Sequence, residues 1–157
     1  MKFTHLTDDG QAKMVDVSEK RPTKREALAR GRVLLGPKVF QAIQDKNLPK
    51  GDLFAVARIA GIMAAKKVGE LIPLCHPLPI SSVEIGFELN PEDLSLIIEA
   101  RVKTVAVTGV EMEALTAVTI AALTVYDMCK GLDKGLRLTD IRLVKKTGGK
   151  SGTIILE

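Results

Sequence analysis

The side chains best suited to chemistry fall in a few short stretches. Asp127 and Lys130 form an i,i+3 pair at the end of an otherwise apolar run. Such a pair is usually a weak surface contact, but here the two charges stand out against a helix with almost no others. In Lys50-Gly51-Asp52 a lysine immediately precedes a helix N-terminus, where free N–H groups and the helix dipole favour an anion. His76 lies in the proline-bracketed segment Leu71-Ile72-Pro73-Leu74-Cys75-His76-Pro77-Leu78, and Pro77 biases it away from helix. It can serve as an acid or base near neutral pH, or as a hydrogen-bonded structural residue.

Thr108-Gly109-Val110-Glu111 matches the S/T-x-x-E capping box, which gives Glu111 a structural task and leaves Glu113 as the better functional candidate. The bland alternative is that both acids are simply favoured by the helix dipole. Two positions apart, they sit roughly 200° apart around a helix, so at most one is expected to face a given pocket. Asp127 comes about four turns after Glu113, roughly 21 Å along the axis. One small ligand cannot be gripped at both ends of a single helix, so a site using both residues needs a second subunit.

Lys145-Lys146-Thr147-Gly148-Gly149-Lys150-Ser151-Gly152 resembles a phosphate loop but is not one. Val144 occupies the leading glycine position and no helix follows. It reads as a flexible basic segment able to wrap an anion, or as a disordered tail. Cys75, His76 and Cys129 invite a zinc reading, yet adjacent residues seldom ligate one ion well and no finger spacing follows, so no metal ligands are assigned. Together these signals describe an acid/base site that handles phosphate.

The elements that must position these groups follow from periodicity. Residues 1 to about 22 read as a polar arm around the alternating Met14-Val15-Asp16-Val17-Ser18. Lys24 to Leu35 suits helix or strand. Strand is favoured, because Gly31 would weaken a helix and Gly36-Pro37 ends the run. A short helix over Pro37 to about Lys46 precedes a stronger one capped by Asp52, with Leu53, Val56, Ile59, Ala60 and Met63 as its apolar stripe. Val83–Leu89 and Ile98–Lys103 alternate as strands of an antiparallel hairpin around Asn90-Pro91-Glu92-Asp93. A helix from about Val110 to Lys130 is apolar almost all round and therefore expected to be buried. A last strand covers about Leu136 to Val144, before the basic tail. This order predicts an α+β fold of the ferredoxin-like kind, with helices on one face of an antiparallel sheet. Such a fold assigns no function by itself.

Composition bounds the rest. The 157 residues suit a single domain, 1–157, with an arm at 1–22 and a Gly/Lys-rich tail at 145–157. At 46% hydrophobic and 27% charged the chain is globular, and with 3% aromatics and no tryptophan its core must be aliphatic. The net charge of +4 is mild and its signs interspersed, so a strongly basic nucleic-acid surface is not implied. It fits a local anion pocket or an ordinary solvated surface. The N-terminus turns acidic before any apolar stretch develops, so no signal peptide is expected. The longest chargeless run, Ala114 to Tyr126, is too short to span a bilayer. The two cysteines form no CxxC and suit a reduced cytoplasm.

Read together, the segments resemble the cyclic pyranopterin monophosphate synthase family of molybdenum-cofactor biosynthesis. The matching stretches are Met14–Ser18, Lys50–Asp52, Ala57-Arg58-Ile59-Ala60-Gly61, Leu71–Leu78, Thr108–Leu115, Ala122–Lys130 and Gly148–Gly152, in one order across nearly the whole chain. Val107 and Thr147 depart from residues common in relatives. The resemblance implies a ferredoxin-like subunit in a homo-hexamer, a trimer of dimers, with sites at dimer interfaces. It implies as substrate a purine-derived triphosphate, 3′,8-cyclised dihydro-GTP, and as products cyclic pyranopterin monophosphate and pyrophosphate. By position, Asp127 is the active-site acid, and Lys50 and Lys130 are acid/base or phosphate partners. Leu74, Cys75 and His76, with Met112 and Glu113, match the substrate-binding segments. Expelling pyrophosphate builds charge that lysines and arginines must meet, and Lys50, Lys130, Lys146, Lys150 and Arg25 are available. The proton transfers need no redox cofactor. Mg²⁺ with the triphosphate is compatible with the sequence but not required by it. Neither nucleic acid nor membrane is an expected partner. A nucleic-acid binder of this fold would display several aromatics on its hairpin, where only Phe87 is found.

Overall fold

Two-residue alternation makes β1 (Thr23–Leu34) a strand with two unlike faces. Ala27, Ala29 and Val33 are buried on one side, whereas Glu26, Arg30 and Arg32 reach ion-pair partners on the other. In the computed structural model, which describes residues 4–157, the remaining elements are α1 (Gly36–Gln44), α2 (Leu53–Ala65), α3 (Val68–Leu71), β2 (Ser82–Asn90), β3 (Ser95–Ala106), α4 (Glu111–Cys129), β4 (Arg137–Thr147) and β5 (Ile154–Ile155). β1 is central to a five-stranded sheet of order β2-β3-β1-β4-β5. Every strand pairing is antiparallel. The expected α+β architecture is therefore present: a β-α-β-β-α-β chain order with helices over the apolar face of the sheet.

That apolar face carries Leu96, Ile98, Ala100 and Val102 of β3 beside the inward residues of β1, all fully or almost fully buried. α4 lies across β1, β3 and β4, and α2 packs between α4 and β2. Phe87 belongs to this side too. Its ring stacks on Phe54 with centroids 5.1 Å apart, and the Arg58 guanidinium lies 5.4 Å from its centroid. The opposite face is a lattice of ion pairs, with Arg30–Glu99 at 2.9 Å, Arg101–Glu26 at 2.8 Å and Arg32–Asp93 at 2.6 Å.

Of the expected apolar stripe of α2, Leu53 alone is fully buried. Leu53, Ala57, Gly61, Ala64 and Ala65 are buried, whereas Val56, Ile59 and Met63 are 45%, 58% and 53% exposed. The physical reason is close approach of two helices. A Cβ on Gly61 would meet Ile85 Cδ1 and lie 2.9 Å from the Ala117 carbonyl oxygen, so only small residues fit between α2 and α4. The larger apolar side chains are turned outward. α4 departs from its expectation in the same sense. Ala114, Ala117, Val118, Ala121, Ala122 and Val125 are wholly buried, but Leu123 is 52% exposed. By length and composition α4 is apolar enough to cross a membrane, yet half of it is enclosed by the protein's own core.

The basic tail is also more ordered than expected. β4 runs on through Lys145 and Lys146 to Thr147, and β5 returns antiparallel to pair Lys145 with Ile155 and Lys146 with Ile154. Backbone pairing, which charge alone does not reveal, fixes this segment. α3 was likewise not anticipated, because four residues are too few to show a period.

Candidate active site

Asp52 accepts a hydrogen bond from the Ala55 N–H at 3.0 Å and so starts α2, as its position before the apolar run predicts. Capping here fixes the loop that carries Lys50. α2 and α4 run antiparallel, since Lys50 before α2 meets the last turn of α4 while Gly61 lies against Ala117 and Ala121. The Lys50 ammonium donates to Asp127 Oδ2 at 2.9 Å and to the Asp127 carbonyl at 2.8 Å, and Lys130 Nζ lies 2.6 Å from Asp127 Oδ1. Three sequence-predicted residues are thereby gathered into one cluster at the surface. The hydrogen bond from Lys130, then that from Lys50, lowers the Asp127 pKa to about 2, and Asp127 in turn raises that of Lys130. Asp127 is thus a carboxylate holding two ammonium groups. The neighbouring Cys129 is buried, and burial pushes its thiol up to about 11, so it is no nucleophile.

The other group lies at the opposite end of α4. A cavity of about 460 Å³ is bordered by Leu74, Cys75 and His76 on one side and by Glu111, Met112 and Glu113 on another. Glu113 is only 3% exposed, and burial raises its pKa, with Glu111 adding to the effect. Burial, then Glu113, raises the Cys75 thiol. His76 Nε2 lies 2.8 Å from the Val15 carbonyl oxygen.

Two expectations about the acids are corrected here. α4 starts at Glu111 with Val110 as its N-cap and no side-chain cap, so Thr108 lies too far back to form the capping box. Glu111 instead pairs with Lys146 at 2.9 Å. Both Glu111 and Glu113 border the same cavity, because it sits at the end of the helix, where the whole first turn opens onto it.

Arg25 projects toward the same end of the sheet as Lys146. Its Nε and Nη2 donate to the carbonyls of Ala106 and Val107 at 3.4 and 3.3 Å. Gly148 and Gly149, at φ +94° and +72°, fold tightly over it, and a Cβ on Gly149 would strike the guanidinium. Lys150 follows in an exposed turn and makes no ion pair among the described residues. The structure therefore joins Arg25, Lys146 and the cavity residues at one end of α4, and Lys50, Asp127 and Lys130 at the other. It does not join the two groups within one chain. A larger cavity, about 630 Å³ beside Lys46, Asp52, Phe54 and Arg58, contains none of the side chains expected to act in catalysis or substrate binding.

Sequence reasoning missed the contribution of the N-terminal arm. Thr4, His5, Val15, Val17 and Lys20 also border the cavity. The alternation of Met14–Ser18 was the available signal: Val15 and Val17 turn inward while Met14, Asp16 and Ser18 are exposed.

Comparison with known proteins matches residues 14–149 to the family model described as the MoaC family. A protein of Thermomicrobium roseum is 59% identical over 152 residues, covering 97% of this chain and 92% of its own. One from Heliobacterium modesticaldum is 58% identical over 155 residues, covering 99% and 98%. One from Pelotomaculum thermopropionicum is 56% identical over 150 residues, covering 96% and 88%. Each of these relatives is named a cyclic pyranopterin monophosphate synthase.

Proposed function

The chain belongs to the MoaC family, and on that premise we propose that it is a lyase carrying out the reaction for which its relatives are named. It converts (8S)-3′,8-cyclo-7,8-dihydroguanosine 5′-triphosphate into cyclic pyranopterin monophosphate and pyrophosphate, in the synthesis of the molybdenum cofactor. The observation that carries this reading is the Lys50–Asp127–Lys130 cluster. Two ammonium groups held by one ionised carboxylate suit the charge that grows as pyrophosphate leaves. A carboxylate with a pKa of about 2 carries no proton at neutral pH, so the lysines supply protons while Asp127 orients them. The reaction needs proton transfers without net redox change. It uses no cofactor, and Mg²⁺ with the triphosphate is compatible with the reaction but not required.

The acting form is a homo-hexamer, a trimer of dimers, in which the cluster of one copy faces the cavity of another. Two features support this. The groups lie about 21 Å apart along α4, and the helical layer presents Val56, Ile59, Met63 and Leu123 outward, an apolar face suited to a second copy. The free thiols Cys75 and Cys129 support a reducing, cytoplasmic setting.

Incubation with the cyclised triphosphate tests the reaction: pyrophosphate appears in step with the cyclic phosphate, and its absence overturns the assignment. Mixing tests the shared site. Lys50→Ala and Glu113→Ala chains, each inactive alone, regain about a quarter of wild-type turnover when re-assembled together, the statistical share of contacts with both halves intact. No recovery removes the shared site.

A further inference from the structure

β5 is too short to hold itself in place. Its two residues, Ile154 and Ile155, pair with Lys146 and Lys145 of β4, and the Leu156 N–H adds one bond to the Val144 carbonyl at 2.9 Å. A pairing of this length is marginal by itself. The turn before it is costly to order, because Gly148, Gly149 and Gly152 hold φ of +94°, +72° and +63° and glycine loses the most backbone freedom. Apolar burial does not anchor the strand either, since Ile155 and Leu156 are 64% and 60% exposed.

Glu157 supplies the missing anchor. Two positions beyond Ile155, it reaches the polar face of the sheet, where its carboxylate takes the guanidinium groups of Arg30 in β1, at 2.6 Å, and of Arg142 in β4. Both arginines are already held in place, Arg30 by Glu99 of β3 at 2.9 Å and Arg142 by Asp140 at 2.5 Å. An isolated exposed pair contributes little, but a carboxylate that enters a network of preset guanidinium groups orders few new atoms.

The far end of the same segment rests on a different part of the molecule. A Cβ on Gly148 would collide with the Lys24 carbonyl and one on Gly149 with the Arg25 guanidinium, so the turn lies directly on these two residues of β1. Between the two ends, Lys146 turns to the helix side of the sheet and meets Glu111.

We propose that Glu157 is an ionic latch, which pins β5 to the polar face of the sheet and so holds the Gly148–Gly152 turn against Arg25. It is a positioning residue, acting on substrate only through Arg25 and Lys146, and that last step rests on the function proposed above. The latch itself can be measured with no substrate present. Made of partly exposed charges, it weakens as salt screens them.

Trypsin cleavage after Lys150, inside the turn, tests the latch in wild type, Glu157→Gln and Glu157→Ala, with release of residues 151–157 followed by mass spectrometry. At low salt Glu157→Ala is cut about tenfold faster than wild type, and Glu157→Gln, which keeps an acceptor without the charge, falls between them. At about 1 M salt, where the screening length is about 3 Å, the difference between wild type and Glu157→Ala shrinks to about twofold. With the cyclised triphosphate, Glu157→Ala raises KM about tenfold at low salt and leaves kcat within about twofold, and salt closes the KM difference in step with the cutting. Equal cutting of the three proteins overturns the latch, and so does a difference that salt leaves untouched. Faster cutting with KM unchanged overturns the positioning role. Faster, salt-sensitive cutting when no protein releases pyrophosphate supports the latch and overturns the reaction instead.

Discussion

Lys50 and Asp127, 77 positions apart in the chain, meet twice, through the carboxylate at 2.9 Å and through the same residue's backbone carbonyl at 2.8 Å. That carbonyl belongs to the last turn of α4, where no N–H from the helix itself remains to satisfy it. Lys50 therefore caps the C-terminus of α4 and pairs with its acid in one stroke. The helix dipole favours the ammonium at that end.

The first consequence is a displaced titration. Asp127 has a folded pKa of about 2, below the ordinary 3.8, so its pairing stabilises the fold fully above 3.8 and is lost as pH falls toward 2. Carboxyl NMR is expected to find this midpoint. Lys130→Ala moves it upward further than Lys50→Ala, because the Lys130 hydrogen bond is the larger cause.

Removing either lysine acts on turnover far more than on stability. Both ammonium groups are about half exposed, so Lys50→Ala and Lys130→Ala are expected to shift the melting temperature by less than about 4 °C. The same variants lower kcat/KM by about 10² to 10³, the scale of a lost electrostatic partner to the leaving group. Full activity in either variant would remove that lysine from the mechanism.

Glu113 behaves in the opposite sense. Its pKa is raised by burial, so the folded chain holds a proton that the unfolded chain has released, and stability falls as pH rises through that interval. Glu113→Gln keeps the shape without the charge. It is expected to melt higher than wild type at pH 7, to lose that part of the pH dependence, and to turn over more slowly. A lower melting point at pH 7 would show that the carboxylate is stabilised by its surroundings.

Gly61 sets the separation of α2 from α4. Gly61→Ala places a Cβ against Ile85 Cδ1 and 2.9 Å from the Ala117 carbonyl, for which overpacking predicts a loss of about 1–3 kcal/mol. Urea denaturation measures it directly. An unchanged midpoint would mean that the helix pair yields freely.

Ile59 is 58% exposed on the outward face of α2. Ile59→Glu is expected to change the stability of the single subunit by less than about 0.5 kcal/mol but to disperse the assembly, as read by light scattering, with loss of turnover. A variant that stays assembled would clear this face of any part in subunit contact.

Most of the architecture was readable in advance, because it rests on local periodicity: alternation in β1 and the hairpin, Asp52 as a cap, and an apolar helix of about five turns. The chemistry-bearing residues were readable by type, and their assembly was not. The Lys50–Asp127 contact depends on the antiparallel packing of α2 and α4, a relation between elements that no window along the chain contains. The misread face of α2 has a related origin. Bulk marks Val56, Ile59 and Met63 as core, but close helix packing selects the smallest side chains and turns the largest out. The supposed capping box failed by two positions, enough to turn Glu111 from a cap into a partner for Lys146. Lys20 and His5 gave no signal of their own, since a polar arm becomes part of a cavity only when something fastens it there.

The seamless packing of α4 against the sheet makes that helix a rigid ruler between its two functional ends. An inserted residue midway would rotate everything beyond it by about 100°, swinging Asp127 out of register with Lys50 while leaving Glu113 untouched. An insertion at the hairpin tip, residues 90–94, would by contrast leave the two ends of α4 in phase.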